Sequence, residues 1–403
     1  MMEKMIETVK GFRDVLPEES LKRRKIREII EKNFKIFGFV PIETPTIEYE
    51  DVAKGENEED SAVSERFKLR DRGDRALSLR YEFTFQLKRL FKENTNIKLP
   101  FRRYEIGSIF RDEPIEKDRY REFIQCDADI IGDSSIKADA ECLALADKIC
   151  KDLNVAYKLK INNRKLLNSI FKRLEIINPE SVLRELDKVD KLGEDEVKSN
   201  LSKIIDKSQV YQLFKLLNNN IDFFIQEKYE GAEELKELLQ LLKAYGIKAI
   251  FSPFLARGFA YYTGSIFEGY NEKIKGSIFG GGRFDNLVGS YIKREIPAVG
   301  ISFGRLLDYP DVEIEGLKAL LISIGEEKRA IELLRNMRDA GIACFMMDKP
   351  GKAMEYADSN KIPFVVFIGK EEMKKKKVKL RNMKTGVEKL LVESSAIKTI
   401  LKN

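Results

Sequence analysis

The sequence predicts an α+β protein in which an antiparallel sheet is flanked by helices, interrupted by a helical insertion and followed by a smaller α/β domain. Strand-like and helical segments alternate irregularly through residues 18–163. Leu, Lys and Glu then recur at helical spacing, with few glycines, over residues 165–246. From residue 316 strand and helix signals alternate regularly. We therefore predict two domains, over residues 1–310 and 316–403, with the insertion at about 165–246.

The N-terminal region begins with a predicted amphipathic helix over residues 18–37, which follows an acidic start and ends at Gly38. A strand over residues 39–50 should follow, and then a hairpin around "DRGDR" that leads into a second helix near Thr84. An amphipathic helix needs an apolar surface to cover, which is one reason to expect a homodimer.

An antiparallel pair of strands is predicted next, over residues 102–113 and 121–132, with the charged segment "PIEKDRY" between them. A helix over residues 135–153 and a strand over residues 155–163 come before the insertion. The strand pair therefore carries a basic loop at its tip.

Residues typical of strands return after the insertion at 247–254 and continue through "FLARGFAYYTGSIFEGY" to residues 297–307. The C-terminal domain should then contain strands over 317–325, 342–348, 362–372 and 377–383, helices over 326–341 and 352–360, and a turn at Thr385 and Gly386. This alternation of strands and helices is typical of a small α/β domain.

Composition restricts the class of protein. The chain has 403 residues, of which 43% are hydrophobic and 35% charged, and no apolar run approaches the length of a membrane span. We therefore expect a cytoplasmic protein. The four cysteines lack CxxC spacing and there is no histidine, so we expect no metal held by the protein itself. A net charge of +6 permits a nucleic-acid partner, but a lysine-rich solvated surface explains it equally well.

The strand pair around the basic loop carries residues suited to a nucleotide. Arg111 and Glu113 alternate on one strand, Arg119 and Arg121 lie across the loop, and Phe123 is on the return strand. Arginine side chains bind phosphate with two parallel hydrogen bonds, and an aromatic ring beside them can stack on a base. The alternative is a surface hairpin whose arginines form only cross-strand salt bridges.

Two further segments have residues suited to a small ligand. In "LRYEFT", Glu82 is positioned to accept an ammonium group, while Thr84 either contacts the same group or caps the next helix. The glycines at 280–282 allow the backbone to approach a ligand closely, or else form a tight bend.

Together these segments resemble the histidyl-tRNA synthetases, a family of class II aminoacyl-tRNA synthetases. The resemblance covers essentially the whole chain. The matching segments are "KGFRDVLPEE" at the N-terminus, "GFVPIETPTIE" as motif 1, "SIFRDEPIEKDRYREFIQCDADIIG" as motif 2, "ARGFAYYTGSIFE" as the histidine-specific motif usually written RGLDYYTG, and "AVGISFGRLL" as motif 3. The resemblance implies a class II catalytic domain on an antiparallel sheet and a C-terminal anticodon-binding domain.

The resemblance also implies roles for individual residues. The histidine-binding set would be Glu82, Thr84, Arg111, Gln125, Asp129, Arg257, Tyr261 and Tyr262. The ATP-binding set would be Arg111, Glu113, Arg119, Arg121, Phe123 and Arg305. Arg111 and Arg257 would be the catalytic residues, because both would contact the α-phosphate.

The chain departs from the family pattern at two places. Ala260 stands where RGLDYYTG has its aspartate, which removes a carboxylate near the expected pocket. In motif 3 the family has an arginine three residues after the last glycine, whereas this chain has Leu307 there and Arg305 directly after Gly304. We assign Arg305 to the γ-phosphate.

The function implied is the ligation of L-histidine to tRNA(His) through histidyl-adenylate. ATP would be a substrate and would bring Mg²⁺, motif 1 would form a homodimer interface, and no membrane would be involved. The main alternative is a non-catalytic paralogue such as the regulatory subunit of ATP phosphoribosyltransferase, which typically lacks the anticodon-type domain and the motif arginines. A nucleic-acid-binding accessory protein on the same scaffold is the other alternative.

Overall fold

The computed structural model describes residues 7–53, 65–115, 119–309, 312–314 and 316–402. The chain divides into two compact units, Met1–Val312 and Glu313–Asn403. Each unit has its own sheet and hydrophobic cores.

The first unit is organised around an eight-stranded sheet. Its strands and those of a small separate sheet are β1 (Val40–Pro41), β2 (Ile47–Tyr49), β3 (Lys68–Arg70), β4 (Ala76–Leu79), β5 (Phe101–Phe110), β6 (Glu122–Ile131), β7 (Lys158–Asn163), β8 (Ala249–Phe251), β9 (Ser265–Asn271), β10 (Ile274–Arg283) and β11 (Ala298–Phe303). The large sheet has the order β1-β5-β6-β11-β10-β9-β7-β8, and β2, β4 and β3 form the small one. All inner neighbours of the large sheet are antiparallel, and only the edge strands β1 and β8 pair in parallel. The predicted antiparallel sheet is therefore confirmed.

Helices flank this sheet. They are α1 (Pro17–Ile36), α2 (Glu50–Ala53), α3 (Gln86–Glu93), α4 (Ile136–Asp152), α5 (Arg164–Arg173), α6 (Pro179–Leu186), α7 (Val189–Leu192), α8 (Glu194–Leu201), α9 (Lys207–Leu217), α10 (Ile221–Gln226) and α11 (Ala232–Ala244), with short 3₁₀ helices at Ser290–Ile292 and Arg305–Asp308. Between β7 and β8 the chain is helical, from α5 to α11.

The apolar face of α1 is covered by the chain itself. Ile26, Ile30 and Phe34 are fully buried and belong to the same core as the sheet residues Tyr104 and Ala128. The amphipathic pattern of α1 is thus accounted for without a second copy, and it carries no weight for a dimer.

The predicted strand over residues 39–50 is split into β1 and β2. Proline has no N–H for a ladder, and Pro41 and Pro45 interrupt the segment. Between the two strands, the main-chain N–H and the hydroxyl of Thr44 both donate to the Glu105 carboxylate at 2.8 Å. The segment is therefore held by a buried side chain at the point where a continuous strand was expected.

The predicted strand texture through residues 254–264 is also wrong. This segment consists of turns and irregular backbone, and regular pairing begins only at β9. It forms one wall of the pocket described below.

The second unit is an α/β domain. Its elements are β12 (Ala319–Ile324), α12 (Glu327–Asp339), β13 (Cys344–Met347), α13 (Pro350–Ser359), β14 (Phe364–Gly369), α14 (Lys370–Lys374), β15 (Val378–Asn382), β16 (Glu388–Leu391) and α15 (Glu393–Leu401). The order is β13-β12-β14-β15-β16, with the first three strands parallel and the last two antiparallel to their neighbours. Leu333 and Ile400 belong to one core of this unit, and Ala353 and Ala357 to another. We did not predict α14, β16 or α15.

Within the described ranges, no helix combines the length and the apolarity needed to cross a membrane.

Candidate active site

One pocket in the first unit collects every residue of the predicted histidine-binding set. Its lining comprises Glu82, Thr84, Arg111, Gln125, Asp127, Asp129, Arg257, Phe259, Tyr261, Tyr262, Gly280, Gly281, Phe284, Gly300, Ile301 and Ser302. These residues come from β6, β10, β11, the segment before α3, the irregular segment before β9, and the positions directly after β5 and β10, which are Arg111 and Phe284. Residues far apart in sequence therefore meet over the middle of the sheet.

The alternation of side chains along strand β6 explains why three of its residues line the pocket together. Gln125, Asp127 and Asp129 alternate along β6, so their side chains face the same side of the sheet. Gln125 donates to Asp127 at 2.8 Å. Asp129 forms an ion pair with Arg103, its cross-strand neighbour on β5, whose side chain is fully buried.

Three carboxylates of the pocket are buried, and burial raises their pKa values. The pKa is raised to about 7 for Glu82, about 6 for Asp127 and about 7 for Asp129, in each case chiefly by desolvation. Repulsion from Asp127 adds to the pKa shift of Glu82 and Asp129, and repulsion from Glu105 adds to that of Asp127, while Arg103 opposes the shift for the two aspartates. A cationic group that entered this pocket would relieve that repulsion, so the lining favours an ammonium or imidazolium group.

Asp127 was not in the predicted histidine-binding set. The available signal was its position between Gln125 and Asp129 on the same strand face. One of its carboxylate oxygens has no hydrogen-bond partner within the described residues.

Glu82, and not Thr84, accepts the free N–H groups just before α3. One Glu82 oxygen accepts from the main-chain N–H of Thr84 at 3.1 Å and from that of Phe85 at 2.7 Å. Helix α3 begins at Gln86 with no side-chain cap of its own, so the predicted capping role of Thr84 is wrong. The Thr84 side chain instead hydrogen-bonds Glu82 and lines the pocket.

Arg257 enters the pocket from an irregular segment, in a left-handed backbone conformation with φ of 60°. Its Nη1 donates to Glu268 on β9, and its Nη2 lies 3.4 Å from the Tyr262 hydroxyl. Its pKa is raised by the Tyr262 and Glu268 side chains, although burial acts in the opposite direction. The guanidinium therefore remains charged.

The main chain around Arg257 is held by two buried residues at the start of the insertion. Asn162 donates to the carbonyl oxygens of Pro253 and Leu255 at 3.0 and 2.9 Å. Arg164 donates to the carbonyl oxygens of Arg257 and Phe259 at 3.2 and 2.8 Å. We did not predict either role, because nothing in the local sequence relates residues 162–164 to a segment that follows the insertion.

The two tyrosines connect Arg257 to the acidic side of the pocket. The ring centroids of Tyr261 and Tyr262 are 4.7 Å apart, and the Tyr261 hydroxyl lies 3.4 Å from Glu82 Oε2. Tyr261 also stacks on Phe259 with centroids 5.1 Å apart. The tyrosine pair thus spans the pocket between a cation and a carboxylate.

Arg111 lies between two aromatic rings at the opposite wall. Its guanidinium carbon is 4.4 Å from the Tyr81 ring centroid and 5.2 Å from that of Phe123. Its Nη1 is 3.9 Å from the Glu113 carboxylate. Arg111 is therefore the residue shared by the pocket and the predicted ATP-binding group.

The other members of the ATP-binding set lie outside the pocket lining. Glu113 forms an ion pair with Arg119. Arg121 donates to the Glu113 carbonyl oxygen at 3.1 Å and contacts Asp112 at 3.0 Å. These are the cross-strand and local ion pairs of the alternative interpretation. Part of the predicted basic loop, residues 116–118, lies outside the described residues.

Phe123 and Arg305 are not in the pocket lining, although Phe123 contacts the lining residue Arg111. A Cβ placed on Gly304 would lie 3.5 Å from the Phe123 ring, and one placed on Gly276 would lie 4.0 Å from Arg305 Cδ. Arg305 is the first residue of a 3₁₀ helix. Its assignment to a phosphate stays a prediction.

The glycine run 280–282 is part of the regular strand β10, so the tight bend considered from the sequence is not present. A Cβ on Gly281 would lie 2.0 Å from the Gly300 carbonyl oxygen, and one on Gly282 would lie 2.4 Å from the Ser265 carbonyl oxygen. The glycines therefore let protein groups approach the strand closely, including Arg257 beside Gly280.

Comparisons with known proteins agree with this architecture. The family model for histidyl-tRNA synthetase matches residues 11–305, and the model for an anticodon-binding domain matches residues 318–403. Histidine–tRNA ligase 1 from a strain of Bacillus cereus is 37% identical over 412 residues, covering 95% of this chain and 97% of the relative. Histidine–tRNA ligase of Clostridium tetani is 35% identical, covering 98% of this chain and 97% of the relative.

Solved structures give the same result. The crystal structure of histidyl-tRNA synthetase from Nostoc sp. PCC 7120 superposes with a TM-score of 0.84 at 26% identity, covering 98% of this chain and 99% of that one. A structure described as an ATP phosphoribosyltransferase regulatory subunit/histidyl-tRNA synthetase from Bacillus halodurans C gives 0.76 at 25% identity, covering 92% and 100%. The predicted family is confirmed by the family model and by the extent of these matches: the chain belongs to the histidyl-tRNA synthetases, within the class II aminoacyl-tRNA synthetases.

Proposed function

We propose that the protein ligates L-histidine to tRNA(His) in two steps, with ATP as the activating substrate. The observation that carries the proposal is the pocket itself, in which three buried carboxylates share the lining with Arg111 and Arg257. Histidine carries an ammonium group, an imidazole and a carboxylate. A pocket lined by both carboxylates and arginines matches that distribution of charge.

Histidine is held by the polar groups of this pocket. Glu82 and Thr84 receive the ammonium group, and Gln125 and Asp129 receive the imidazole. Asp127 adds a carboxylate beside them, and we propose that it contributes to recognition in a chain where Ala260 replaces the family's aspartate. Tyr261 and Tyr262 close the pocket.

The first chemical step joins the histidine carboxylate to the α-phosphorus of ATP and releases pyrophosphate. Arg111 and Arg257 donate to the α-phosphate as negative charge shifts onto its oxygens, and they require no covalent intermediate on the protein. Mg²⁺ enters with ATP as part of the substrate. The terminal ribose of tRNA(His) then takes the histidyl group, and AMP leaves.

The remaining ATP contacts come from the strand pair β5–β6 and from motif 3. Glu113 contacts adenine, Phe123 stacks on it, and Arg119 and Arg121 contact the phosphates. Arg119 forms an ion pair with Glu113 and Arg121 one with Asp112, and ATP phosphates replace these carboxylates as partners of the two arginines. Arg305 binds the γ-phosphate.

The unit Met1–Val312 carries amino-acid activation, and Glu313–Asn403 binds the anticodon of tRNA(His). The alternative is a non-catalytic paralogue, such as a regulatory subunit of ATP phosphoribosyltransferase. The presence of Arg111, Arg121 and Arg257, together with a matching anticodon-binding domain over residues 318–403, favours the ligase.

We propose a homodimer formed through the motif 1 region. Strand β1 lies at the edge of the large sheet, where a second copy of the protein can pair with it or pack against it. In the same region Val40 on β1 and Ile47 and Tyr49 on β2 are 48%, 48% and 53% exposed, so apolar side chains are available for an interface. A cytoplasmic location fits the reaction and the four buried, unpaired cysteines.

Histidine-dependent exchange of pyrophosphate into ATP tests the activation step, and charging of tRNA(His) tests the second. The ligase should show both reactions. A folded protein that shows neither, but binds the catalytic subunit of ATP phosphoribosyltransferase, would be the regulatory paralogue.

A further inference from the structure

Glu268 connects Arg257 to a residue outside the pocket. One oxygen of its carboxylate accepts a hydrogen bond from Arg257 Nη1, and the other accepts one from the hydroxyl of Tyr270. Both Arg257 and Glu268 are largely buried, with side chains 14% and 16% exposed. Glu268 and Tyr270 lie two residues apart on β9, so their side chains share one face of that strand.

The two terminal nitrogens of the Arg257 guanidinium have different neighbours. Nη1 is engaged by Glu268, whereas Nη2 lies toward Tyr262 at 3.4 Å, on the pocket side. Gly280 leaves room for both side chains, because a Cβ there would lie 2.1 Å from Nη1 and 3.3 Å from Glu268 Cγ. Arg257 and Glu268 therefore pack against the same glycine, and the planar guanidinium presents Nη1 to Glu268 and Nη2 to Tyr262.

We propose that Glu268 is a positioning residue for adenylate formation: it fixes the guanidinium of Arg257 so that the Nη2 side is presented to the α-phosphate, and Tyr270 holds Glu268 in place. This inference rests on the proposed function of Arg257. An unrestrained arginine would have to be ordered during the reaction, whereas a donor already in place requires no reorganisation.

A structural role for Glu268 would have different consequences. A carboxylate that supports the fold independently of Arg257 would affect folding stability, and its removal would slow the reaction whether or not Arg257 was present. A positioning carboxylate acts through Arg257 alone. The effects of removing the two residues should then be non-additive, which a double-mutant cycle measures.

The variants are Glu268→Ala, Glu268→Gln, Tyr270→Phe, Arg257→Ala and the double variant Arg257→Ala/Glu268→Ala. Glutamine keeps an oxygen that accepts from Nη1, and Tyr270→Phe keeps the ring but loses the hydroxyl. Glu272→Ala is the matched control, since Glu272 follows the same strand, is 85% exposed and pairs only with Lys158 among the described contacts.

The kinetic readout is kcat and KM for histidine-dependent pyrophosphate exchange. Glu268→Ala should lower kcat by about 10- to 100-fold, less than the 10²–10³ typical for loss of the donor itself, with KM for histidine changed by less than about threefold. Glu268→Gln should restore most of the loss, Tyr270→Phe should give a smaller loss, and Glu272→Ala should have no effect. In the Arg257→Ala background, removal of Glu268 should change kcat by less than about twofold. A full additive loss there, or an unchanged kcat in Glu268→Ala, would overturn the proposal.

A crystal structure of Glu268→Ala separates this inference from the proposed function. The Arg257 guanidinium should leave its place beside Gly280, and an unmoved guanidinium contradicts positioning whatever the reaction is. If the unmodified protein catalyses no histidine-dependent exchange, the proposed function fails, and the crystal structure still decides whether Glu268 orients Arg257.

Discussion

Arg257 occupies the space that a side chain at Gly280 would need, since a Cβ there would lie 2.1 Å from Arg257 Nη1. Gly280 is in the interior of β10, where glycine weakens a strand because it offers no side chain to pack. The close approach of a buried arginine supplies the reason for glycine at this position. The glycine run and the arginine-containing segment, which are separate features of the sequence, thus belong to one site.

Gly280→Ala should reduce activity by displacing Arg257. The added methyl group meets the far end of a long side chain, which moves more easily than backbone, so the fold should survive. We expect kcat for pyrophosphate exchange to fall by about 10²-fold, near the loss expected for a missing preorganised donor. Gly351→Ala is the control, because a Cβ there meets no atom within 4 Å. An active Gly280→Ala protein would show that the guanidinium can be displaced without affecting the reaction.

Arg257→Ala should lower the rate of adenylate formation by about 10²- to 10³-fold, because its donor acts on charge that develops in the transition state. Arg257→Lys should restore little of this, since an ammonium group cannot contact Glu268 and the substrate with a planar pair of donors. Single-turnover adenylation, followed by rapid quench, measures the step directly. A near-normal rate in the alanine variant would leave Arg257 as a structural ion-pair partner of Glu268.

Most residues that line the pocket could be predicted from motif spacing and from the family resemblance. The residues that hold the Arg257 segment in place could not. Period two along β6 correctly brings Gln125 and Asp129 to one face. The same period includes Asp127, which the motif-based selection omitted. The residues that hold the Arg257 segment, Asn162 and Arg164, precede it by some 90 positions in the chain, and only the tertiary fold relates them.

Two local predictions missed a buried carboxylate that accepts main-chain N–H groups. The strand predicted over residues 39–50 is interrupted at Pro41 and Pro45, and between β1 and β2 Thr44 donates to Glu105 on β5. Helix α3 begins at Gln86, close to the predicted start near Thr84, but Glu82 and not a threonine cap accepts the N–H groups there. In both places a carboxylate from outside the expected pattern is the better acceptor.

Glu82→Gln should stabilise the ligand-free protein at alkaline pH while weakening histidine binding. Burial raises the pKa of Glu82 from its ordinary 4.5 to about 7. The native state therefore holds a proton that the unfolded state has lost between these values, and the stability due to this group falls as pH rises from about 4.5 to 7. Glutamine does not ionise. The free energy of unfolding of Glu82→Gln should therefore exceed that of the unmodified protein by little near pH 5 and by about 1–3 kcal/mol at pH 8.

Urea unfolding at pH 5 and pH 8, followed by circular dichroism, measures this difference for Glu82→Gln and the unmodified protein. KM for histidine should rise about tenfold or more in the same variant, because a neutral amide replaces a carboxylate that accepts from the substrate ammonium. Glu233→Gln serves as the control on an exposed helix surface. A stability difference of the same size at both pH values would argue against an ionisation in this range.

Ile47→Asp should dissociate the proposed dimer. Ile47 is 48% exposed on β2, within the motif 1 region, and a buried unpaired carboxylate would be strongly unfavourable at an interface. Light scattering at micromolar concentration should give the mass of a dimer for the unmodified protein and of a monomer for the variant. Ile177→Asp, at a site that is 98% exposed in the insertion, should remain dimeric. A monomeric unmodified protein would rule out the dimer itself.

Removal of residues 316–403 should leave adenylate formation largely intact and weaken charging of tRNA(His). All residues that line the pocket lie in the unit Met1–Val312, and the removed unit has its own sheet and cores. The truncated protein should keep kcat for pyrophosphate exchange within about threefold, while kcat/KM for tRNA falls by about 10²-fold or more as anticodon and phosphate contacts are lost. Much of that loss should appear in KM for tRNA, because the lost contacts are distant from the reacting phosphate and contribute binding in ground and transition states alike. Circular dichroism and light scattering of the truncated protein establish that it is folded. In such a folded protein, loss of pyrophosphate exchange would show that the C-terminal unit is needed for activation, and unimpaired charging would show that it does not bind the tRNA.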